Sequence, residues 1–66
     1  MIKLKLNREI YSKERIDETI RVFDDYGTIR TKDTAREFCV EFKDCKYDEN
    51  RTAKEFENYL IALENS

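Results

Sequence analysis

Ile10-Tyr11-Ser12-Lys13-Glu14-Arg15-Ile16-Asp17-Glu18-Thr19-Ile20-Arg21-Val22-Phe23-Asp24-Asp25-Tyr26-Gly27 is the stretch whose reading decides the fold. Ser12 has the chemistry of a helix N-cap, because its hydroxyl accepts a hydrogen bond from a first-turn N–H that has no partner inside the helix. Tyr11 and Ile16 stand at the spacing of a hydrophobic staple across that cap. Ile16, Thr19, Ile20, Phe23 and Tyr26 share one face, and Asp17, Glu18, Arg21, Asp24 and Asp25 lie opposite, which predicts an amphipathic helix from about Lys13 to Tyr26. Gly27, the only glycine, follows where a left-handed terminating residue is wanted.

On the N-terminal side, Ile2, Leu4 and Leu6 alternate with Lys3 and Lys5, the period of a half-buried strand. Beyond Gly27, Thr28 to Lys32 reads as a short strand with Ile29 inward, and Asp33-Thr34-Ala35 as a turn. Phe38, Val40 and Phe42 alternate with Cys39, Glu41 and Lys43 in a third strand, the longest and most apolar. A second helix begins near Asp48, with Ala53, Phe56, Tyr59, Leu60 and Leu63 as its buried stripe. Tyr11-Ser12-Lys13-Glu14-Arg15 and Tyr47-Asp48-Glu49-Asn50-Arg51 share a pattern of Tyr, cap residue, two polar residues and Arg, and capping alone accounts for it.

The element order β-α-β-β-α restricts the topology. The second and third strands make an antiparallel hairpin, and the first helix serves as a crossover from the first strand. Strand three, being the most apolar, belongs in the centre. The expectation is a two-layer α+β domain spanning residues 1–66, with a three-stranded antiparallel sheet of order 1-3-2 and both helices on one face.

Sixty-six residues allow one small core, which buries only about 60% of the surface exposed by the unfolded chain. Charged residues make up 42% of the chain, but their signs are interspersed and the net charge is −2. No block of like charge marks a nucleic-acid arm. No apolar run approaches the roughly 20 residues needed to span a bilayer, and Met1 to Leu6 lacks the apolar core of a secretion signal. A cytoplasmic protein that does not engage a membrane is expected, as a monomer or weak homodimer. Cys39 and Cys45 then read as reduced thiols, since a spacing of six fits neither a disulfide framework nor a CxxC site.

The inventory for chemistry is thin, and catalysis is not expected. Histidine is absent, removing the commonest general base and nitrogen ligand. One glycine cannot make a phosphate-cradling loop. Ser12 is a cap and Ser66 is terminal. Cys45, between Lys43 and Lys46, is the best candidate for a reactive thiol, although Asp44 opposes a lowered pKa. The carboxylates Asp24, Asp25, Glu55 and Glu57 fall on solvated helix faces. No cofactor or metal site is expected.

Two surface features remain. The sheet face turned from the helices should carry Lys3, Lys5, Arg30, Lys32 and Lys43 against Glu37 and Glu41. Ile61 falls off the apolar stripe of the second helix, beside Glu57 and roughly opposite Tyr59. Arg30 and Lys32 on an edge strand, with Ile61, are the candidate partner-binding residues, because an open edge offers backbone pairing to an extended peptide. The alternative is a nucleic-acid-binding module using Lys3, Lys5, Arg30 and Lys32. Against it stand the lack of basic excess and aromatics that point into the core.

Glu9-Ile10-Tyr11-Ser12-Lys13-Glu14, the helix through Ile20 and Phe23, and Tyr26 through Ile29 resemble the N-terminal signature of HxsD-like proteins, small accessory proteins of His-Xaa-Ser peptide-modification systems. Phe23-Asp24-Asp25-Tyr26 is similar to the segment that ends the helix in that family. Tyr47-Asp48-Glu49-Asn50-Arg51 and Glu55-Phe56-Glu57-Asn58-Tyr59-Leu60 resemble its C-terminal helix more loosely. The resemblance implies a non-catalytic accessory role beside radical-SAM enzymes that modify a precursor peptide, with that enzyme or peptide as partner. It implies no catalytic residues.

Overall fold

The computed structural model describes residues 2–65. Strand β1 (Ile2–Asn7) leads to helix α1 (Lys13–Phe23), which continues as a 3-10 turn over Asp24–Tyr26. Strands β2 (Thr28–Asp33) and β3 (Glu37–Lys43) form a hairpin, and helix α2 (Glu49–Glu64) closes the chain. The sheet has the order β1-β3-β2 and both pairings are antiparallel, so the expected α+β architecture is the one formed.

Each helix starts where its cap chemistry places it. The Ser12 hydroxyl accepts from the Arg15 N–H, and the Asp48 carboxylate accepts from the Asn50 N–H. Each helix also satisfies a buried threonine from the carbonyl four residues earlier. Thr19 donates to the Arg15 carbonyl and Thr52 to the Asp48 carbonyl, so neither buried hydroxyl lacks a partner. The far end of α2 returns to the first cap, where Glu64 accepts from both the backbone N–H and the hydroxyl of Ser12.

Register decides which side chains meet. Leu4 lies opposite Val40, with Thr31 on the other side of Val40, and Ile2 and Ile29 flank Phe42 in the same way. Because successive side chains alternate between faces, this row of apolar residues lies under the helices. Leu6, Ile16, Phe23, Phe38, Val40, Phe42, Ala53, Phe56 and Leu60 form one buried cluster. Phe56 is central to it, edge-on to Phe42 at 5.2 Å and to Phe23 at 5.5 Å between ring centroids.

Three expectations need correction. First, α1 gives way to a 3-10 turn before Tyr26. A 3-10 turn eclipses residues three apart, so Tyr26 stacks on Phe23 at 5.6 Å instead of continuing the buried stripe, and it is exposed.

Second, Gly27 is not left-handed: its φ of 164° and ψ of −174° are extended backbone that any residue adopts. What requires glycine is space. A Cβ there would lie 2.8 Å from Cys45 Cα and 2.9 Å from Cys45 Sγ. The loop after β3 presses against this point and is tied to it by the Lys46 N–H donating to the Tyr26 carbonyl at 2.7 Å. Asp44, with φ of 54°, makes the bend that brings the loop in, a conformation that a short polar side chain tolerates better than most.

Third, Tyr59 sits at the margin of the α2 stripe and is exposed, with its ring edge-on to Phe23 at 5.9 Å. Thr52 takes a place in the buried stripe beside Ala53, Phe56 and Leu60, while Leu63, also expected there, is only half-buried near the end of the helix. The four phenylalanines are all buried, whereas Tyr26, Tyr47 and Tyr59 all reach the surface. That division follows from the phenolic hydroxyl, which needs water or a partner.

Candidate functional site

The sheet is covered on one face only. The other face displays the outward residues of all three strands in cross-strand rows, Lys3–Glu41–Arg30 and Lys5–Cys39–Lys32. Lys43 and Thr28 form a further pair, and Glu37 stands opposite Asn7. With five cations against two carboxylates, this face is net +3. The whole chain carries −2, so the remainder holds −5. Charge is therefore segregated across the thickness of the sheet, although it is interspersed along the chain.

Local pairing removes little of that charge. Lys3 Nζ lies 3.8 Å from Glu41, and the lysine side chain is about half exposed. Glu41 is mostly covered, but with Lys3 reaching into water the pair contributes no more than about 1 kcal/mol. In the Lys5–Cys39–Lys32 row the central residue is an uncharged, half-buried thiol between two cations. A shallow depression of about 100 Å³ lies among Thr28, Arg30, Glu41 and Lys43.

Strand β2 pairs only with β3 and forms one edge of the sheet. Arg30 and Lys32 project from its open face, while Ile29 and Thr31 point toward the helices. Ile61 is 40% exposed, as expected for a residue off the stripe. It belongs, however, to a helix on the opposite face of the sheet, one that packs over β1 and β3. Tyr59 turns toward α1, and a residue two positions on points about 200° away from it. The three candidate partner-binding residues therefore form two separate surfaces, Arg30 with Lys32 and Ile61 apart. By contrast, the four residues of the nucleic-acid alternative, Lys3, Lys5, Arg30 and Lys32, are brought together on one face.

Cys45, the one thiol weighed for reactivity, has surroundings that do not lower its pKa. Burial pushes its thiol above the ordinary value of 9.0, the Glu49 and Asp44 carboxylates push the same way, and a hydrogen bond with Thr52 opposes them. Lys43 and Lys46 do not outweigh these effects. At neutral pH Cys45 is a packed thiol that holds a loop against Gly27. The folded pKa lies above the unfolded one, so the associated stability is intact below pH 9.0 and is lost as the pH rises through the folded value. The urea midpoint should therefore hold from about pH 7 to about pH 8.5 and fall from about pH 9 to about pH 10.5, and fall less over that range in Cys45→Ala.

No group of three or more potential metal-ligating side chains occurs among the described residues. Asp24 and Asp25 are exposed, and Glu55 pairs with Arg51 at 3.3 Å. Ser66 lies outside the described residues. No described helix is long and apolar enough to cross a membrane.

Sequence reasoning missed one surface. Tyr26 and Tyr47, with ring centroids 5.9 Å apart, form an exposed aromatic pair at the end of the helical layer. A cleft of about 340 Å³ runs between them and Arg51, Thr52 and Glu55. The signal available in the sequence was the hydroxyl: tyrosines at the ends of amphipathic stripes belong at the boundary of a core. No family model, curated protein or solved structure matches the chain.

Proposed function

We propose that this protein is a non-catalytic adaptor of the cytoplasm that binds a partner polypeptide as an added strand along β2. The observation that carries the reading is an edge strand with two cations, Arg30 and Lys32, on its uncovered face. An extended peptide laid along β2 gains backbone hydrogen bonds, and its alternate side chains project on the same face as those cations. Residues two apart on a strand are separated by about 6.6–6.8 Å, so acidic residues at alternate positions of the peptide would meet Arg30 and Lys32 in step. Ile61 is not part of this interface. The resemblance to HxsD-like proteins supports a precursor peptide, or the radical-SAM enzyme that modifies it, as the partner.

The test is fluorescence anisotropy with a labelled peptide bearing glutamate at alternate positions among threonine and valine. Arg30→Glu combined with Lys32→Glu should weaken binding by about tenfold or more, roughly 1.4 kcal/mol. Ile61→Asp should leave it unchanged. Equal affinity for a peptide with lysine in place of glutamate would sink the reading. A tagged protein recovered with nuclease treatment should bring down a radical-SAM enzyme or short precursor peptide in stoichiometric amount.

One observation favours a second reading, the gathering of Lys3, Lys5, Arg30 and Lys32 on one face. A nucleic-acid module would bind a labelled single-stranded oligonucleotide with affinity falling steeply as salt rises, by a log–log slope of about −0.7 per phosphate contacted. Stacking partners are missing from that face, since its outward residues contain no aromatic ring. Binding of that kind, abolished by Lys3→Glu with Lys5→Glu, would replace the adaptor reading.

A further inference from the structure

The Tyr26–Tyr47 cleft lies in the helical layer, on the other side of the sheet from the cationic face, and its chemistry is opposite. Tyr47 is 62% exposed and Tyr26 40%, a large share for aromatic rings in a chain that buries all four phenylalanines. Tyr26 is held by its ring contact to Phe23 and by the Lys46 N–H on its carbonyl, so the pair is anchored to the core and not loosely displayed. Next to the two rings in the chain, carboxylates outnumber cations, with Asp24, Asp25, Asp48 and Glu49 against Lys46. Asp24 and Asp25 precede Tyr26 in the same 3-10 turn, and Asp48 and Glu49 follow Tyr47 in sequence. Within the cleft, Arg51 Nε donates to Glu55 Oε1 at 3.3 Å, and both side chains are well exposed. A carboxylate accepts several hydrogen bonds, so Glu55 has capacity for a second donor.

We propose that this cleft binds a cationic side chain, an arginine or lysine, presented by a partner polypeptide. An aromatic face carries partial negative charge and attracts a cation placed over it. Here two such rings lie close together, Arg51 and Glu55 offset each other in the lining, the neighbouring chain adds more carboxylates than cations, and the cleft is large enough for one extended side chain. Together with the β2 edge, the molecule then offers two surfaces of opposite preference, as bridging two polypeptides requires. The cleft does not depend on the sheet face for its own chemistry.

The probe is a nine-residue peptide with one central arginine among glycine and serine, and a twin with citrulline in its place. The readout is the NMR shift of the tyrosine ring signals. The arginine peptide should give saturable shifts at Tyr26 and Tyr47, with the citrulline twin weaker by about fivefold or more. Tyr47→Ala should weaken binding by about fivefold and Tyr47→Phe by no more than about twofold, because the ring and not the hydroxyl makes the contact. Arg30→Glu with Lys32→Glu should leave it unchanged, so this site and the β2 interface stand or fall separately. Equal shifts from the citrulline twin, undiminished binding in Tyr47→Ala, or no shift at about 10 mM peptide, weaker than the millimolar range, would each overturn the proposal.

Discussion

Phe56→Ala should leave the chain unfolded at room temperature. Phe56 is completely buried and its ring meets Phe42 and Phe23 edge-on, joining the sheet to both helices. Truncating a buried phenylalanine costs about 3–5 kcal/mol, from lost transfer energy plus the cavity left behind. A core of this size supplies only about 3–5 kcal/mol of net stability in total, so the loss and the reserve are equal. The molecule spans only 16 Å in its shortest dimension, leaving a single layer of side chains between sheet and helices. No second layer can collapse into the gap. Circular dichroism and a urea titration would decide the matter, and Phe56→Leu, which keeps most of the volume, should remain cooperatively folded. A cooperative transition in Phe56→Ala near the wild-type midpoint would mean that the core is not organised around this ring.

Gly27→Ala carries the second largest effect, and its sign discriminates between two mechanisms. Glycine replaced at an extended position loses unfolded-state entropy, which alone stabilises by about 0.4–1 kcal/mol. Here the new Cβ would stand 2.8 Å from Cys45 Cα and 3.2 Å from Cys45 N, and backbone atoms cannot swing aside as a side chain can. The loop must withdraw, lengthening the hydrogen bond from Lys46 to Tyr26. Overpacking of this kind costs about 1–3 kcal/mol, so net destabilisation is expected. Cys45→Ala in the Gly27→Ala background removes only the Sγ contact at 2.9 Å, so it should relieve part of the strain and leave the backbone part. A double-mutant cycle in urea measures that coupling. A stabilised Gly27→Ala would show that the close approach does not govern this position.

Much of the fold was legible because its determinants are local or periodic. Ser12 and Asp48 announce helix starts through their own side-chain chemistry. Alternation in Ile2–Leu6 and Phe38–Phe42 assigns each residue a face, and with the strand order it places Lys3, Lys5, Arg30 and Lys32 on one side of the sheet. The boundaries that moved are those with competing solutions. The end of α1 tightened into a 3-10 turn, and β2 and β3 each took in one more residue toward the hairpin, where Thr34 bonds across to Glu37. The candidate site was legible only in part. The face of Ile61 on α2 follows from the helical period, but its separation from Arg30 and Lys32 depends on which strands α2 covers.

What the sequence by itself determined is the set of elements, their order, the inward and outward residues of each strand, and the central place of the most apolar strand. These follow from periods of two and 3.6 residues and from caps whose partners lie within one turn. Only the tertiary structure decided that Gly27 answers to Cys45, that Cys45 is a packed thiol, and that Tyr26 and Tyr47 meet at the surface. Each of these depends on distances between residues far apart in the chain. Such distances are set when loops and helices settle against one another, and no local pattern records them.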